Sequence, residues 1–369
     1  MQFTEESLKK IERSKEYNKK YAAWLWGMSQ EFPHRASTFI NQQERLLDCM
    51  NLFLWDVYHK NKVMDLKRVN RCMNNRFCPN CRKLDLAKTL HNFSEPFKKY
   101  LLEGYYPYMI TLTVPNVKGS DLEPTLKHMS KAFRKLYTIL SKDIKPVNKW
   151  VITDTTFRRR LMQFDGALRV LEITVRHNED GSTKDFHPHY HVILFSKEYN
   201  PVLFDKYIPG PYSTKRQRYD MFSDLDINIM KLWKMCYDNI RFTNKNYDNL
   251  SSEWYNLYMC NICELTPEGI YEVLKYTFKD TDIQTYYDFK TIKLALENKR
   301  LRQGYGILYN IKFECDDSKG DLQDINEYCT IAENPEDLLT KEISVLYTIY
   351  KDYIKISRFR AYNEYWNIE

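Results

Sequence analysis

The chain has 369 residues, 43% of them hydrophobic and 28% charged, which excludes a disordered chain and is long enough for two or three domains. Glycine is scarce, at 10 against 29 tyrosines, and neither G-x-x-x-x-G-K-[ST] nor G-x-G-x-x-G occurs, so no nucleotide-driven motor is built in. The net charge of +7 fits a nucleic-acid or membrane-surface partner, and equally a basic solvated surface.

The opening MQFTEESLKKIERSKEYNKK is polar, with no signal core, and no apolar run reaches the length of a membrane span. A cytoplasmic chain is expected, without a membrane partner, its nine cysteines serving as thiols or metal ligands. The first hundred residues read as mainly helical, with a Cys-rich interruption from Cys72 to Cys81. Cys78-Pro-Asn-Cys81, with Cys72 before it, has zinc-knuckle-like spacing and needs a fourth ligand. Buried free thiols are the plain alternative.

YYPYMITLTVPN, ending in Pro-Asn, predicts a strand running into a loop. Leu126, Met129, Phe133, Leu136, Tyr137 and Leu140 fall at helical spacing across 121–140. ALRVLEITVR, the turn signal HNEDGS and HPHYHVILF then predict a β-hairpin. YMCNICEL reads as an ordinary strand that sets Cys260 and Cys263 on opposite faces, and Thr266-Pro267 opens a helix through IYEVLKYTFKD. CDDSKGDLQD suits a polar linker. Leu338, Leu339, Ile343, Leu346, Tyr347 and Tyr350 predict a last helix. These elements suggest a helical region over 1–104, a central domain over 105–315, and a linker with a helix over 316–369.

The hairpin concentrates polar chemistry. Strand residues alternate between faces, so His189 and His191 share one face, and Glu172 of the other arm joins them if the apolar faces align. Two imidazoles and a carboxylate form a divalent-metal site with open positions, suited to Mn²⁺ or Mg²⁺. His187 lies in line with that face, as a supporting group or substitute ligand. The plain alternative is a set of histidines satisfied by hydrogen bonds. On the following helix, Glu272, Tyr276 and Lys279 share the polar side, with Lys275 nearby. A tyrosine oxygen can attack a phosphodiester, and Glu272 is spaced to act as a base. In a chain with so many tyrosines, a surface tyrosine is the plain alternative here.

In this order, ITLTVPN, HPHYHVIL and EVLKYTFK resemble the plasmid rolling-circle replication initiators of the His-hydrophobic-His endonuclease superfamily, in the group that pairs a Glu with a Tyr four residues later. CMNNRFCPNC and ENKRLRQGYGILY are similar to that family's cysteine motif and to its segment after the nucleophile, so the resemblance covers roughly residues 45–315. It implies nicking of one strand at a plasmid origin. Tyr276 would form a 5′-phosphotyrosine link and free a 3′-OH primer, Glu172, His189 and His191 would hold the metal, Glu272 would activate water at termination, and Lys279 would contact phosphate. It also implies Cys49 as the fourth zinc ligand beside Cys72, Cys78 and Cys81, with His59 as the substitute. Tyrosine after histidines sets the chain apart from conjugative relaxases, whose order is permuted.

Basic residues for phosphate contact include Lys67, Arg68, Arg71 and Arg76, Arg158 to Arg160, Lys215, Arg216 and Arg218, Lys299, Arg300 and Arg302, and Lys275. The expected fold is α+β, a central antiparallel sheet of about five strands with flanking helices, preceded by a helical zinc-containing region. The expected partners are single-stranded DNA, double-stranded origin DNA, and a host helicase and polymerase. The competing readings are a single-strand transposase or mobile-element nicking enzyme of the same superfamily, and a catalytically inactive zinc-containing DNA-binding regulator.

Overall fold

The computed structural model describes residues 5–58, 63–141, 162–199, 205–213, 218–252, 257–265, 270, 273–274, 280–311, 343–350 and 353–360. The chain divides into two units, Met1–Lys88 with Cys315–Glu369, and Thr89–Glu314.

The first unit begins with helices α1 (Glu5–Glu31) and α2 (Ala36–Asp48). Tyr21, Leu25, Met28, Phe39 and Leu46 recur at helical spacing and are fully buried, which holds the two helices by their apolar stripes. Strands β1 (Leu52–Tyr58) and β2 (Val63–Val69) follow as an antiparallel pair. Helix α3 (Pro79–Leu102) starts with proline at its first position, where a missing N–H costs nothing.

The second unit is organised by strands β3 (Tyr106–Thr113), β4 (Gly166–His177) and β5 (Thr183–Ser196), with helix α4 (Gly119–Ser141) after β3. Strands β6 (Ile208–Ser213) and β7 (Arg218–Phe222) pair separately. Helices α5 (Asp224–Tyr237) and α6 (Asn244–Ser252), strand β8 (Cys260–Glu264), helix α7 (Tyr286–Ala295) and strand β9 (Arg302–Gly306) complete it. Five strands form one sheet in the order β8-β3-β5-β4-β9. Every neighbouring pair in it is antiparallel, as expected from the sequence. The β4–β5 turn closes through Gly181 at φ 79°, a left-handed conformation that costs glycine least.

Both faces of this sheet are covered. On one, Phe133 of α4 packs edge-on against Tyr190 at 5.8 Å, and Leu122, Leu126, Met129, Leu136 and Leu140 are buried. On the other, Phe97 and Tyr100 of α3 pack against Phe195 at 5.6 and 5.9 Å. Asp226 accepts from the Ser223 backbone within the capping box of α5 and from the Ile262 amide of β8, both at 2.7–2.8 Å, so one buried carboxylate fixes this helix to the sheet edge.

The C-terminal helix expected from Ile343, Leu346, Tyr347 and Tyr350 is instead a strand pair, β10 (Ile343–Tyr350) and β11 (Tyr353–Arg360). They join the first unit's sheet in the order β11-β10-β1-β2. ISVLYTIY alternates Ile343, Val345, Tyr347 and Ile349 with period two, and its β-branched and aromatic content favours an extended backbone over the helical spacing it also satisfies. Leu338 and Leu339 and the CDDSKGDLQD segment lie outside the described residues.

Candidate metal and DNA-processing site

The pairing register places Glu172 directly opposite His189, and His191 opposite Val170. Strand alternation therefore brings Glu172, His189 and His191 to one face, and one ligand atom from each lies within 4.8 Å of the others. The Glu172 Oε2 stands 2.8 Å from His191 Nε2 and 3.3 Å from His189 Nε2. Donors about 2.1 Å from a common ion lie roughly 3.0–3.4 Å apart for right-angled to tetrahedral arrangements, so this set fits a divalent cation. Burial works to raise the Glu172 carboxyl, but the hydrogen bonds with His189 and His191 outweigh it and hold the group well below the usual carboxylate range.

The imidazoles are oriented from behind. His189 Nδ1 donates to the His187 carbonyl at 3.2 Å, and His191 Nδ1 lies 3.1 Å from Thr111 Oγ1. A carbonyl can only accept, so His189 Nδ1 carries a proton and Nε2 is the ring atom turned toward the carboxylate. A proton on Nε2 serves the hydrogen bond to Glu172, and a metal ion can take its place between them.

His187 is not part of this triad. Its Nδ1 is 2.7 Å from Asn116 Oδ1, and Asn116 in turn donates to Asp185, which Arg176 grips. Its backbone carbonyl accepts from His189 Nδ1 behind the metal face. Burial, together with the neighbouring His189, shifts the His187 imidazole down.

The second cluster is made of Cys49, Cys72, Cys78 and Cys81, all buried, with one sulfur of each within 4.8 Å of the rest. Sulfur separations are 3.5 Å for Cys49–Cys78, 3.7 Å for Cys49–Cys81 and 3.5 Å for Cys72–Cys81. A tetrahedral zinc with bonds of about 2.3 Å sets its sulfurs about 3.8 Å apart, so the donors fit. The Asn18 side chain donates to Cys78 Sγ at 3.4 Å, and the Asn74 amide to Cys72 Sγ at 3.5 Å. Such N–H donors support thiolate charge. Cys260 is buried and Cys263 half-buried on opposite faces of β8.

Tyr276, Glu272, Lys279 and Lys275 lie outside the described residues, as do Arg216, His59 and Arg158 to Arg160. Two residues shortly before Tyr276 in the sequence are described. Val273 and Leu274 are helical and fully buried, and the Leu274 carbonyl accepts from Arg302 Nη2 at 3.2 Å. Arg302 pairs with Val170, which pairs with His191, so Arg302 stands in the same row of the sheet as the metal face. Its other Nη1 donates to Thr89 Oγ1 at 3.1 Å.

Sequence reasoning grouped Arg302 with basic surface residues. It is a buried tether, and the β9 alternation was the signal that could have shown it. Arg302→Leu is expected to cost about 2–4 kcal/mol in denaturant unfolding by stranding those acceptors. A loss below about 0.5 kcal/mol would show the tether to be incidental. Arg300, its exposed neighbour, keeps a surface position. Arg71 and Arg76 are half-buried beside the cysteine cluster, where Arg71 reaches Met73 Sδ at 3.4 Å and the Arg76 carbonyl accepts from Arg82 at 3.5 Å.

Residues 63–354 match a protein-family model described as replication protein. The chain belongs to this replication-protein family. It is similar to a Protein rep of Staphylococcus aureus, 28% identical over 66% of this chain and 84% of that relative. It is similar to a Protein rep of Bacillus sp, 30% identical over 43% of this chain and 45% of the relative, and to one of Bacillus amyloliquefaciens, 36% identical over 32% and 29%. No solved structure matches. Among the described residues of this replication protein, no helix is long and apolar enough to cross a membrane.

Proposed function

We propose that this replication protein is a plasmid rolling-circle initiator that nicks one strand at an origin by tyrosine attack. The observation that carries the reading is the convergence of Glu172, His189 and His191 on one face of the sheet. Membership of a replication-protein family supports it.

The Tyr276 oxygen attacks the scissile phosphorus, and the bond from phosphorus to the 3′ oxygen breaks. The 5′ phosphate remains on the tyrosine, and the departing 3′ oxygen takes a proton and becomes the primer hydroxyl. Glu172, His189 and His191 hold Mn²⁺ or Mg²⁺, which supplies Lewis-acid polarisation of the phosphate. Lys279 contacts the phosphate, with Lys275, Arg71, Arg76, Arg216 and Arg300 on the flanking backbone. Glu272 takes a proton from the water that performs the terminating cleavage. Cys49, Cys72, Cys78 and Cys81 hold a structural zinc. Strand separation and synthesis fall to a host helicase and polymerase, since no motor motif is present.

The test is direct. Wild-type protein with Mn²⁺ and a single-stranded origin oligonucleotide should yield a covalent adduct that mass spectrometry maps to Tyr276, and Tyr276→Phe should yield none. A wild type that forms no adduct, or one mapped to another tyrosine, overturns the assignment.

A further inference from the structure

Helix α4 covers the sheet face opposite the metal triad, and its outer side is cationic. Lys127, Lys131 and Arg134 are exposed and recur at steps of four and three, so they share the side turned away from the buried Met129, Phe133 and Leu136. At about 1.5 Å per residue they extend over roughly 10 Å of the helix. The acids of α4, Asp121 and Glu123, precede this stripe, and Glu123 is already paired with Lys299 at 3.3 Å. Among the described residues no carboxylate pairs with Lys127, Lys131 or Arg134.

Charge accumulates beneath and beside the stripe. Arg169 is only 3% exposed. Its guanidinium reaches Ser130, Tyr190 and Gln303 at 3.2–3.3 Å and lies 4.6 Å from the Tyr190 ring centre. These partners are all neutral, and no described carboxylate balances the charge, so it adds to the potential over α4. Tyr305 packs between Phe133 and Tyr137, each at 5.2 Å, and its hydroxyl has no hydrogen-bond partner among the described residues. Burial raises that hydroxyl's pKa, and Arg169, Arg134 and Arg300 all act against the shift, which sets the exposed Arg300 near the same surface.

We propose that the outer face of α4, through Lys127, Lys131 and Arg134, binds the phosphate backbone of double-stranded DNA on the side of the sheet away from the metal triad. Duplex is favoured over single strand because the exposed stripe, Lys127, Lys131, Arg134 and Thr138, holds no aromatic on which a base can stack. A straight row of cations suits a regular phosphate backbone, which is read by charge alone. The inference rests on the initiator reading and adds to it a second DNA surface, one that holds flanking duplex while the metal face works on a single strand.

The experiment compares the full chain with its K127Q/K131Q/R134Q variant. Binding to a blunt duplex is measured across a series of salt concentrations, and cleavage of a short single-stranded oligonucleotide carrying the nick site is measured in parallel. The variant should lose roughly ten- to a hundredfold in duplex affinity at moderate salt, and the slope of log K against log salt should become shallower by about 2 to 3. Cleavage of the short single strand should stay within about twofold of wild type. An unchanged slope, a wild type that binds no duplex, or duplex binding and single-strand cleavage falling together would each overturn the proposal. A wild type that binds duplex with this slope yet never cleaves the single strand would instead sink the initiator reading and leave the surface standing.

Discussion

His191→Ala should abolish Mn²⁺ binding at the sheet and lower strand cleavage by about a thousandfold or more. Among the described residues the triad is Glu172, His189 and His191, and His187 is not one of the ligand atoms that lie within 4.8 Å of one another. Removing one of three donors leaves two, and the bound ion's share of transition-state stabilisation, several kcal/mol, goes with it. About 4 kcal/mol corresponds to a thousandfold. His187→Ala is the informative contrast. Its ring lies outside the grouped ligand atoms, and its carbonyl, which orients His189 at 3.2 Å, survives the substitution. Mn²⁺ affinity should then stay within about tenfold of wild type. Calorimetric titration with Mn²⁺ and single-turnover cleavage read both variants. A His191→Ala chain that binds Mn²⁺ normally, or a His187→Ala chain that cannot, would refute the ligand assignment.

The second large effect is expected at the cysteines. Cys81 Sγ lies 3.7 Å from Cys49 and 3.5 Å from Cys72, so Cys81→Ser weakens the cluster at a sulfur with close neighbours on two sides. Structural zinc in small modules is worth about 10–16 kcal/mol. Even a fraction of that exceeds what a unit stable by about 5–15 kcal/mol can lose. The variant, or the wild type after exhaustive chelation, should lose about one zinc per chain and become protease-sensitive within Met1–Lys88, while Thr89–Glu314 stays resistant. Stoichiometric zinc in Cys81→Ser, with an unchanged digestion pattern, would show that the four thiols are a packed core and no metal site.

How much of this was legible in the sequence depends on how local the signal is. Strand alternation is strict, so Glu172, His189 and His191 could be placed on one face before any fold was known, and the register bears that out. The same holds for Cys260 and Cys263 on opposite faces. Cys49 joined the other three cysteines through a family resemblance, and the buried cluster matches. What escaped were features made by distant partners. β10 pairs with β1, as in Leu54↔Leu346, and nothing near residue 346 announces residue 54. Arg302 looked like one more surface cation because only the tertiary fold sets Thr89 and the Leu274 carbonyl around it.

That distant pairing has a temporal side. A chain emerges from the ribosome N-terminus first, at a rate slow enough for domains to fold as they appear. Strand β1 is made early, yet its partner β10 follows only after the whole span Thr89–Glu314 has been made. Until then β1 and β2 stand as a bare hairpin, marginal alone and open at one edge to any other extended strand. The span Thr89–Glu314 can close in that interval. A nascent or prematurely terminated chain would then carry both a finished metal face and an unprotected strand edge, a species prone to clump with its siblings on the same message.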